Sequence, residues 1–389
     1  MFSILLAIIY VAFISLGLPD SLLGAGWPVM YGQLNVPVSF AGVISTIIAL
    51  GTIVSSLLSD RLTARFGAGK VTGFSVLMTA LAMLGFSVSG NFYLLCVFAI
   101  PYGLGAGGVD AALNNYVALH YSSRHMSWLH CFWGVGVTIS PYIMSFCLTK
   151  NFGWEKGYFS VFVIQIVLAF IIFISLPLWK NRTENVSETG EKVKPIGLKN
   201  AVKIKGVVLV LLTFFGYCAL ETTAGLWASS YFVEYRLVLP ETAARFASLY
   251  YIGITVGRFL NGFIADKFGD KIMVRVGILT CTLGVVLVAL PVQTNAVSLV
   301  GLLIVGLGCA PIYPCIIHAT PTNFGEKNSQ AIIGIQMASA YLGSTLAPPI
   351  FGALAESTTL GIYPFYLLVF SLLMLIMSEK LNKVMKKAS

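Results

Sequence analysis

Apolar stretches of about 20 residues recur along the whole chain and constrain its fold more than any other feature. A helix of this length crosses the ~30 Å hydrocarbon core of a bilayer, where every backbone polar group must find its partner within the protein. Only 10% of the 389 residues are charged and 57% are hydrophobic, which excludes an ordinary soluble domain. The sequence predicts an all-α membrane protein with twelve transmembrane helices. Their expected extents are 3–30, 38–59, 71–89, 92–119, 127–149, 157–179, 206–233, 243–265, 272–291, 295–319, 329–352 and 361–378.

The first run lacks an early lysine or arginine and is longer than the apolar core of a signal peptide, so we expect it to remain as the first span. The seven cysteines lie inside apolar runs without CxxC or metal-ligand spacing, which predicts packing residues. They are Cys96, Cys131, Cys147, Cys218, Cys281, Cys309 and Cys315.

The net charge of +9 is distributed unevenly over the connections between spans. If consecutive connections alternate sides of the membrane, 19 of the 24 lysines and arginines fall on one side and four on the other, with Arg258 inside a span. Because excess lysine and arginine mark the cytoplasmic side, both termini are expected in the cytoplasm and the chain in the cell membrane. This distribution predicts contact with the lipid bilayer and argues against a nucleic-acid partner.

One connection differs from the rest in composition. Residues 181–200 are polar, mixed in charge and almost free of aromatics. They predict a flexible cytoplasmic linker, 181–205, between an N-terminal six-helix half, 1–180, and a C-terminal six-helix half, 206–389. The glycosylation triplets at Asn181 and Asn185 fall on that linker and are expected to stay unmodified.

The two halves repeat each other in sequence. An offset of 206 places Asp60 on Asp266, and an offset of 207 places Gly136 on Gly343. Two parallel six-span repeats joined by a cytoplasmic connection form one transporter layout, in which the substrate site lies near the bilayer midplane between the repeats.

This layout resembles the major facilitator superfamily over essentially the whole chain. The usual loop motif of that superfamily, Gly-x-x-x-Asp-Arg/Lys-x-Gly-x-Lys/Arg, is matched by Gly262, Asp266, Lys267, Gly269 and Lys271. The first-half copy lacks the leading glycine and contains extra residues, with its charges at Asp60, Arg61 and Arg65. The resemblance implies that Asp60 and Asp266 cap neighbouring helix ends and that the charged motif residues latch a cytoplasmic gate.

Four charged residues lie away from the ends of the predicted spans, where one charge costs about 2.5–3.5 kcal/mol on insertion scales. They are Asp20, Asp110, Glu221 and Arg258. Pro19 removes a backbone donor beside Asp20, and Gly24 and Gly26 weaken the helix beyond it. Because burial favours a protonated carboxyl group, Asp20, Asp110 and Glu221 are candidates for proton coupling. Arg258 needs an anionic partner, and the three carboxylates are alternatives.

Other polar and aromatic residues of the spans complete a predicted substrate site. A spacing of four places Asn114 on the same helical face as Asp110. His130 is expected to contact ligand, to relay protons or to make a structural hydrogen bond. Carboxylates and amides bind hydroxyls and aromatic planes stack on sugar rings, which favours a sugar. The set is Asp20, Asp110, Asn114, His130, Trp133, Glu221, Trp227, Arg258, Asn261, Tyr313 and Gln336.

The fourth-span string resembles the fucose/galactose/glucose:proton symporter family, which is similar to the sodium-dependent glucose transporters of animals. The string runs Gly103, Leu104, Gly105, Asp110, Asn114, Tyr116 and Val117, and an acid in the first span adds to the resemblance. The resemblance implies roles in proton coupling and sugar binding for Asp20 and Asp110. Asp110 and His130 stand where the fucose permease has glutamate and glutamine.

The leading hypothesis is a secondary active transporter that carries a monosaccharide together with a proton by alternating access, with Na⁺ as the alternative coupling ion. The alternatives are a proton-coupled exporter of drugs or amphiphiles and, from a different class, a membrane sensor or scaffold without transport. No catalytic triad, metal cluster or nucleotide loop occurs at usable spacing, so an enzyme is not expected, nor a cofactor. The protein is expected to act as a monomer.

Overall fold

A computed structural model describes residues 4–180, 196–292 and 294–386. Within these ranges the regular structure is helical and no strand occurs, as predicted. The first part of the chain forms α1 (Ile4–Asp20), α2 (Leu22–Gln33), α3 (Ala41–Phe66), α4 (Ala68–Ser87), α5 (Phe92–His120), α6 (Ser123–Thr149) and α7 (Gly153–Lys180). The second part forms α8 (Leu198–Lys203), α9 (Val207–Ser230), α10 (Pro240–Phe268), α11 (Asp270–Ala289), α12 (Asn295–His318), α13 (Thr320–Phe324), α14 (Glu326–Ser357) and α15 (Tyr363–Lys386).

The long helices of the described ranges correspond to the predicted spans when α1 and α2 are taken together. Ten of these segments are long and apolar enough to cross a membrane. The other two, α10 and α14, have 29 and 32 residues but carry polar side chains such as Arg258 and Gln336. The described part of the chain therefore has ten to twelve membrane-spanning segments.

The fold divides into two compact units. One unit contains the described residues of 1–116 and 129–198, and the other contains those of 117–128 and 199–389. The connection 117–128, which consists of the end of α5, residues 121 and 122, and the start of α6, thus groups with the second unit. Of the predicted linker, residues 181–195 with both glycosylation triplets lie outside the described residues, whereas 198–203 form α8.

Large apolar side chains are exposed on both units. Phe170 and Ile174 in the first unit are 67% and 65% exposed, and Val369 in the second is 62% exposed. A soluble protein avoids extended apolar surface of this kind, because it drives aggregation in water. Lipid chains are the surroundings in which these side chains carry no such cost.

Helix packing inside each unit confirms the sequence repeat. A Cβ on Gly136 of α6 would overlap the carbonyl oxygen of Ile14 in α1 and lie 3.1 Å from the next-turn nitrogen, that of Leu18. A Cβ on Gly343 of α14 would meet α9 in the same way, overlapping the carbonyl oxygen of Phe215. The first and fifth spans of each half therefore approach closely at equivalent glycines, as small residues allow in membrane helices.

Single glycines join consecutive long helices in both units. Gly67 separates α3 from α4 with φ of 80°, and Gly269 separates α10 from α11 with φ of 78°. This backbone conformation is readily adopted by glycine and costly for other residues. At each joint one helix therefore ends and the next begins with a single residue between them.

Candidate functional site

The first candidate site forms where the first span is interrupted. α1 ends at Asp20, Ser21 forms a turn, and α2 begins at Leu22. Pro19 cannot donate to the carbonyl four residues earlier, that of Ser15. The buried Gln165 amide of α7 donates to this carbonyl instead, at 2.9 Å. The weakening predicted at Pro19 is therefore present as a turn and is stabilised from a neighbouring helix, whereas Gly24 and Gly26, predicted to weaken the chain further, lie within the regular helix α2.

A second proline creates the next contact of this site. Pro141 leaves the carbonyl of Val137 in α6 without its helical donor. The Ser21 hydroxyl donates to this oxygen at 2.7 Å and lies 2.7 Å from the Ser140 hydroxyl. The turn after Asp20 is thus fixed to α6, so the sequence positions the carboxylate through the backbone groups that two prolines leave unpaired.

Both oxygens of the Asp20 carboxylate accept hydrogen bonds from aromatic side chains. The Tyr102 hydroxyl donates to Oδ1 at 2.6 Å, and the Trp133 indole Nε1 donates to Oδ2 at 2.9 Å. Asp20 is nevertheless exposed. Among the described residues no cation lies within ion-pair distance of it. Asp20 is therefore an accessible carboxylate held by neutral donors.

Asp110 occupies a different environment in the same unit. The Asn114 amide nitrogen donates to Asp110 Oδ1 at 2.7 Å, and His130 Nε2 lies 3.0 Å from Asn114 Oδ1. Because that amide oxygen can only accept, Nε2 is the protonated nitrogen of the ring. All three side chains are at most 5% exposed. The structure thus brings together three predicted site residues in one buried hydrogen-bonded chain.

The partner of Arg258 is Glu221, one of the three alternatives. The guanidinium Nη2 lies 3.1 Å from Glu221 Oε1 and donates to the Tyr217 hydroxyl at 3.3 Å. The Arg258 side chain is 5% exposed and that of Glu221 is 21% exposed. The Tyr250 hydroxyl donates to the Glu221 backbone carbonyl at 2.8 Å. The second unit therefore holds a largely buried ion pair framed by two tyrosines.

The other predicted residues of the second unit make separate contacts. Trp227 donates to the Pro348 carbonyl at 3.1 Å. Tyr313 lies against Tyr217, with ring centroids 5.9 Å apart, and so borders the ion pair. The remaining two predicted residues are buried amides.

Asn261 donates to the Ser127 hydroxyl at 2.6 Å. Gln336 accepts from the Thr320 hydroxyl at 3.1 Å, while its Nε2 makes no hydrogen bond within the described ranges. No contact among Trp227, Asn261 and Gln336 is seen, so their assignment to the substrate site stays a prediction.

Asp266 of the loop motif lies at the start of a helix. Its carboxylate accepts from the Ser122 hydroxyl and from the Arg124 backbone N–H, both at 3.0 Å, next to the first residue of α6. The Arg124 side chain also lies 3.5 Å from the same carboxylate. The carboxylate thus contacts the start of α6, with its negative charge at the positive end of the helix dipole, and its role in a gate stays a prediction.

The first-half motif has a different local geometry. The extra residues after Asp60 continue α3 to Phe66, whereas α10 ends two residues after Asp266. Asp60 is 9% exposed and accepts from the Gly197 backbone N–H. Its carboxylate therefore lies about one helical turn further from the joint than that of Asp266. The motif cations Arg61, Arg65, Lys267 and Lys271 are exposed.

A further cluster in the second unit was not predicted. Asp270, the first residue of α11, accepts from the Ser123 hydroxyl at 2.5 Å and lies 2.6 Å from His318 Nδ1. His318 Nε2 lies 3.0 Å from the Tyr121 carbonyl oxygen. Both ring nitrogens face acceptors, so the imidazole is the doubly protonated cation in this arrangement. The cluster fixes the connection 117–128 to α11 and α12.

Three residues that contribute to these sites were not predicted, because the sequence pattern around each of them is weak. Tyr102 lies eight residues, about two helical turns, before Asp110 and so shares its face, which could have indicated a polar role. Tyr217 precedes Glu221 by one turn, which could have indicated a shared site. His318 terminates an apolar helix beside two prolines and offers no comparable pattern.

Comparison with known proteins shows the family. The model of the Major Facilitator Superfamily matches residues 9–247 and 238–381. The cis,cis-muconate transport protein of Acinetobacter baylyi is 24% identical over 85% of this chain and 82% of its own length. The glucose/mannose transporter GlcP of Bacillus subtilis is 22% identical over 91% and 90%.

A solved structure shows the same fold over the whole chain. FucP, a transporter of this superfamily, is 15% identical and covers 97% of this chain and 98% of its own, with a TM-score of 0.80. The family match spans nearly all of the chain, and the repeated six-helix pattern and the loop motif agree with it. The chain therefore belongs to the major facilitator superfamily and is a membrane transporter.

Proposed function

We propose that this transporter carries a monosaccharide into the cell together with a proton. The observation that carries the proposal is the Asp20 carboxylate, which is exposed at a helix interruption and, among the described residues, is bound only by the Tyr102 hydroxyl and the Trp133 indole. A proton carrier must exchange with water, and its charge must not be fixed by a permanent cation. Asp20 meets both requirements.

The other two candidate carboxylates suit different roles. Glu221 faces Arg258 at 3.1 Å, and a partner cation stabilises the charged form of a carboxylate. Asp110 is buried in the chain of Asn114 and His130, which limits its access to water. We therefore assign proton coupling to Asp20, the ion pair to substrate binding, and Asp110 to ordering the fourth and fifth spans.

The surroundings of Asp20 also suit a sugar. A carboxylate flanked by an indole and a phenol offers a strong hydroxyl acceptor beside two aromatic faces, the combination that pyranose rings bind. Support comes from GlcP, a glucose/mannose transporter, and from structures that name FucP a fucose:proton symporter and XylE a proton:xylose symporter. The muconate relative makes an organic acid the competing substrate class.

A proton on Asp20 would lower the barrier to alternating access. A charged side chain at the bilayer centre costs about 2.5–3.5 kcal/mol, which corresponds to roughly 70- to 400-fold in rate. The sugar-loaded transporter would cross slowly while Asp20 is charged and quickly once Asp20 is protonated. This difference is what couples the two movements.

The test is Asp20→Asn in proteoliposomes with a panel of labelled monosaccharides. We expect accumulation driven by a pH gradient to be lost, while exchange of sugar across the membrane persists because asparagine retains the shape of the site. Glu379→Gln, which removes a partly exposed carboxylate outside the predicted site, is the matched control and should accumulate sugar normally. An arm with a Na⁺ gradient tests the alternative coupling ion.

Two results would contradict the proposal. Full pH-driven accumulation by Asp20→Asn would remove Asp20 from coupling. Failure of the unmodified protein to take up any monosaccharide, together with extrusion of a lipophilic cation, would support the exporter instead.

A further inference from the structure

A cavity of about 580 Å³ opens in the second unit among α9, α11, α12, α13 and α15. Its volume lies in the range of roughly 300–1,000 Å³ that is usual for small-molecule sites. Its buried lining is mostly apolar and includes Val210, Val274 and Leu381, which are 2%, 9% and 8% exposed, together with the hydroxyl-bearing Thr213 and Ser378. None of the predicted substrate residues lines it. The cavity is therefore a separate feature that can accept an apolar group.

The rim of this cavity is positively charged. Lys271 and Lys386 line it and are exposed. Asp270 also lines it, but its two oxygens are engaged by the Ser123 hydroxyl and by the His318 cation. The ion pair with His318 offsets the charge of Asp270, so the charged residues of the lining carry a net positive charge.

The backbone adds to this preference for an anion. Lys271 is the second residue of α11, a helix of 20 residues whose N-terminal end carries the positive end of its dipole. The Asn323 side chain, also on the lining, supplies a neutral donor and acceptor. An apolar wall beneath a cationic rim matches an amphiphile with an anionic head.

We propose that this cavity binds a phosphate ester on an apolar chain, as presented by an anionic phospholipid of the surrounding leaflet. The phosphate lies between Lys271 and Lys386, and the first methylenes of the chain cover Val210, Val274 and Leu381. A free phosphate ion would use the rim but leave the apolar wall unused. Basic pockets between helices at the end of a bundle predicted to be cytoplasmic are where anionic lipids are recognised.

The test is binding of phosphatidylglycerol to the purified full-length protein in detergent, measured by native mass spectrometry across a lipid titration. Phosphatidylcholine and inorganic phosphate are the comparison ligands. We expect the double variant Lys271→Gln/Lys386→Gln to bind phosphatidylglycerol about thirtyfold more weakly, at about 1 kcal/mol per lysine. Lys383→Gln changes an exposed lysine of the same last turn of α15 that does not line the cavity, and it should bind like the unmodified protein.

Three outcomes would contradict the proposal that the cavity binds an anionic phospholipid. Equal binding of phosphatidylcholine would show that the cavity does not distinguish an anionic headgroup from a zwitterionic one. Inorganic phosphate that competes fully with the lipid at equal concentration would identify a free anion as the ligand. An equal loss in Lys383→Gln would show that general surface charge, and not this cavity, attracts the lipid.

Discussion

Replacing Glu221 by glutamine leaves the Arg258 guanidinium buried without its anion. Because Arg258 is only 5% exposed, water cannot take over that role, and breaking a buried pair from one side costs about 3–5 kcal/mol. At the 3.1 Å separation and an effective dielectric constant of about 20, the Coulomb attraction is about 5 kcal/mol, which agrees with this range. We therefore expect Glu221→Gln to lower the free energy of unfolding by about 3–5 kcal/mol.

The reverse change is expected to cost less. Arg258→Gln leaves Glu221, which is 21% exposed and can be hydrated, so the loss should be about 1–3 kcal/mol. With both residues replaced, no buried charge remains, and stability should return to within about 1–2 kcal/mol of the original. The two substitutions are thus strongly non-additive.

The assay is a double-mutant cycle on the purified protein, with unfolding followed by tryptophan fluorescence in mixed detergent. The exposed pair Arg275 and Glu379, 2.6 Å apart and 43% and 32% exposed, is the matched control and should couple by no more than about 1 kcal/mol. A coupling energy for Arg258 and Glu221 below about 1 kcal/mol, equal to that of the control pair, would refute the reasoning.

Two further predictions follow from close packing and from the unexpected histidine. Gly136→Val and Gly343→Val should each reduce the yield of folded protein in size-exclusion chromatography, because the new side chain would overlap a backbone carbonyl oxygen. Gly24→Ala is the control and should elute normally, because a Cβ at this position meets nothing within 4 Å. Equal behaviour of all three would contradict the close approach. His318→Gln removes the cation beside Asp270 and so loosens the connection 117–128, and trypsin should then cleave after Arg124 several-fold faster. An unchanged cleavage rate would show that this cluster does not hold the connection.

The helices and the weakened position at Pro19 in the first span could be predicted because their causes are local. A run of about 20 apolar residues has one stable form in a bilayer, and a proline removes a donor wherever it stands. The donors that compensate, Gln165 for Pro19 and Ser21 for Pro141, come from other helices and leave no local signal. The sequence therefore indicates where a helix is weakened but not what stabilises it.

The partners of individual side chains could not be predicted from the sequence, because they too come from other helices. Three carboxylates were open to Arg258, and only the packing of α9 against α10 selects Glu221. The sequence offset also pairs Asp60 with Asp266, but the extra turn of α3 gives Asp60 different neighbours. Repeats preserve the order of helices more faithfully than the surroundings of single residues.

The single-glycine joints fix two short distances in the transporter. Phe66 and Ala68 flank Gly67, and Phe268 and Asp270 flank Gly269, so the Cα atoms on either side of each joint can be no more than about 7–8 Å apart. Covalent geometry holds this limit however the helices tilt during a transport cycle. Pairs of spectroscopic labels placed at these ends would report a near-constant distance, against which any change measured elsewhere in the protein could be calibrated.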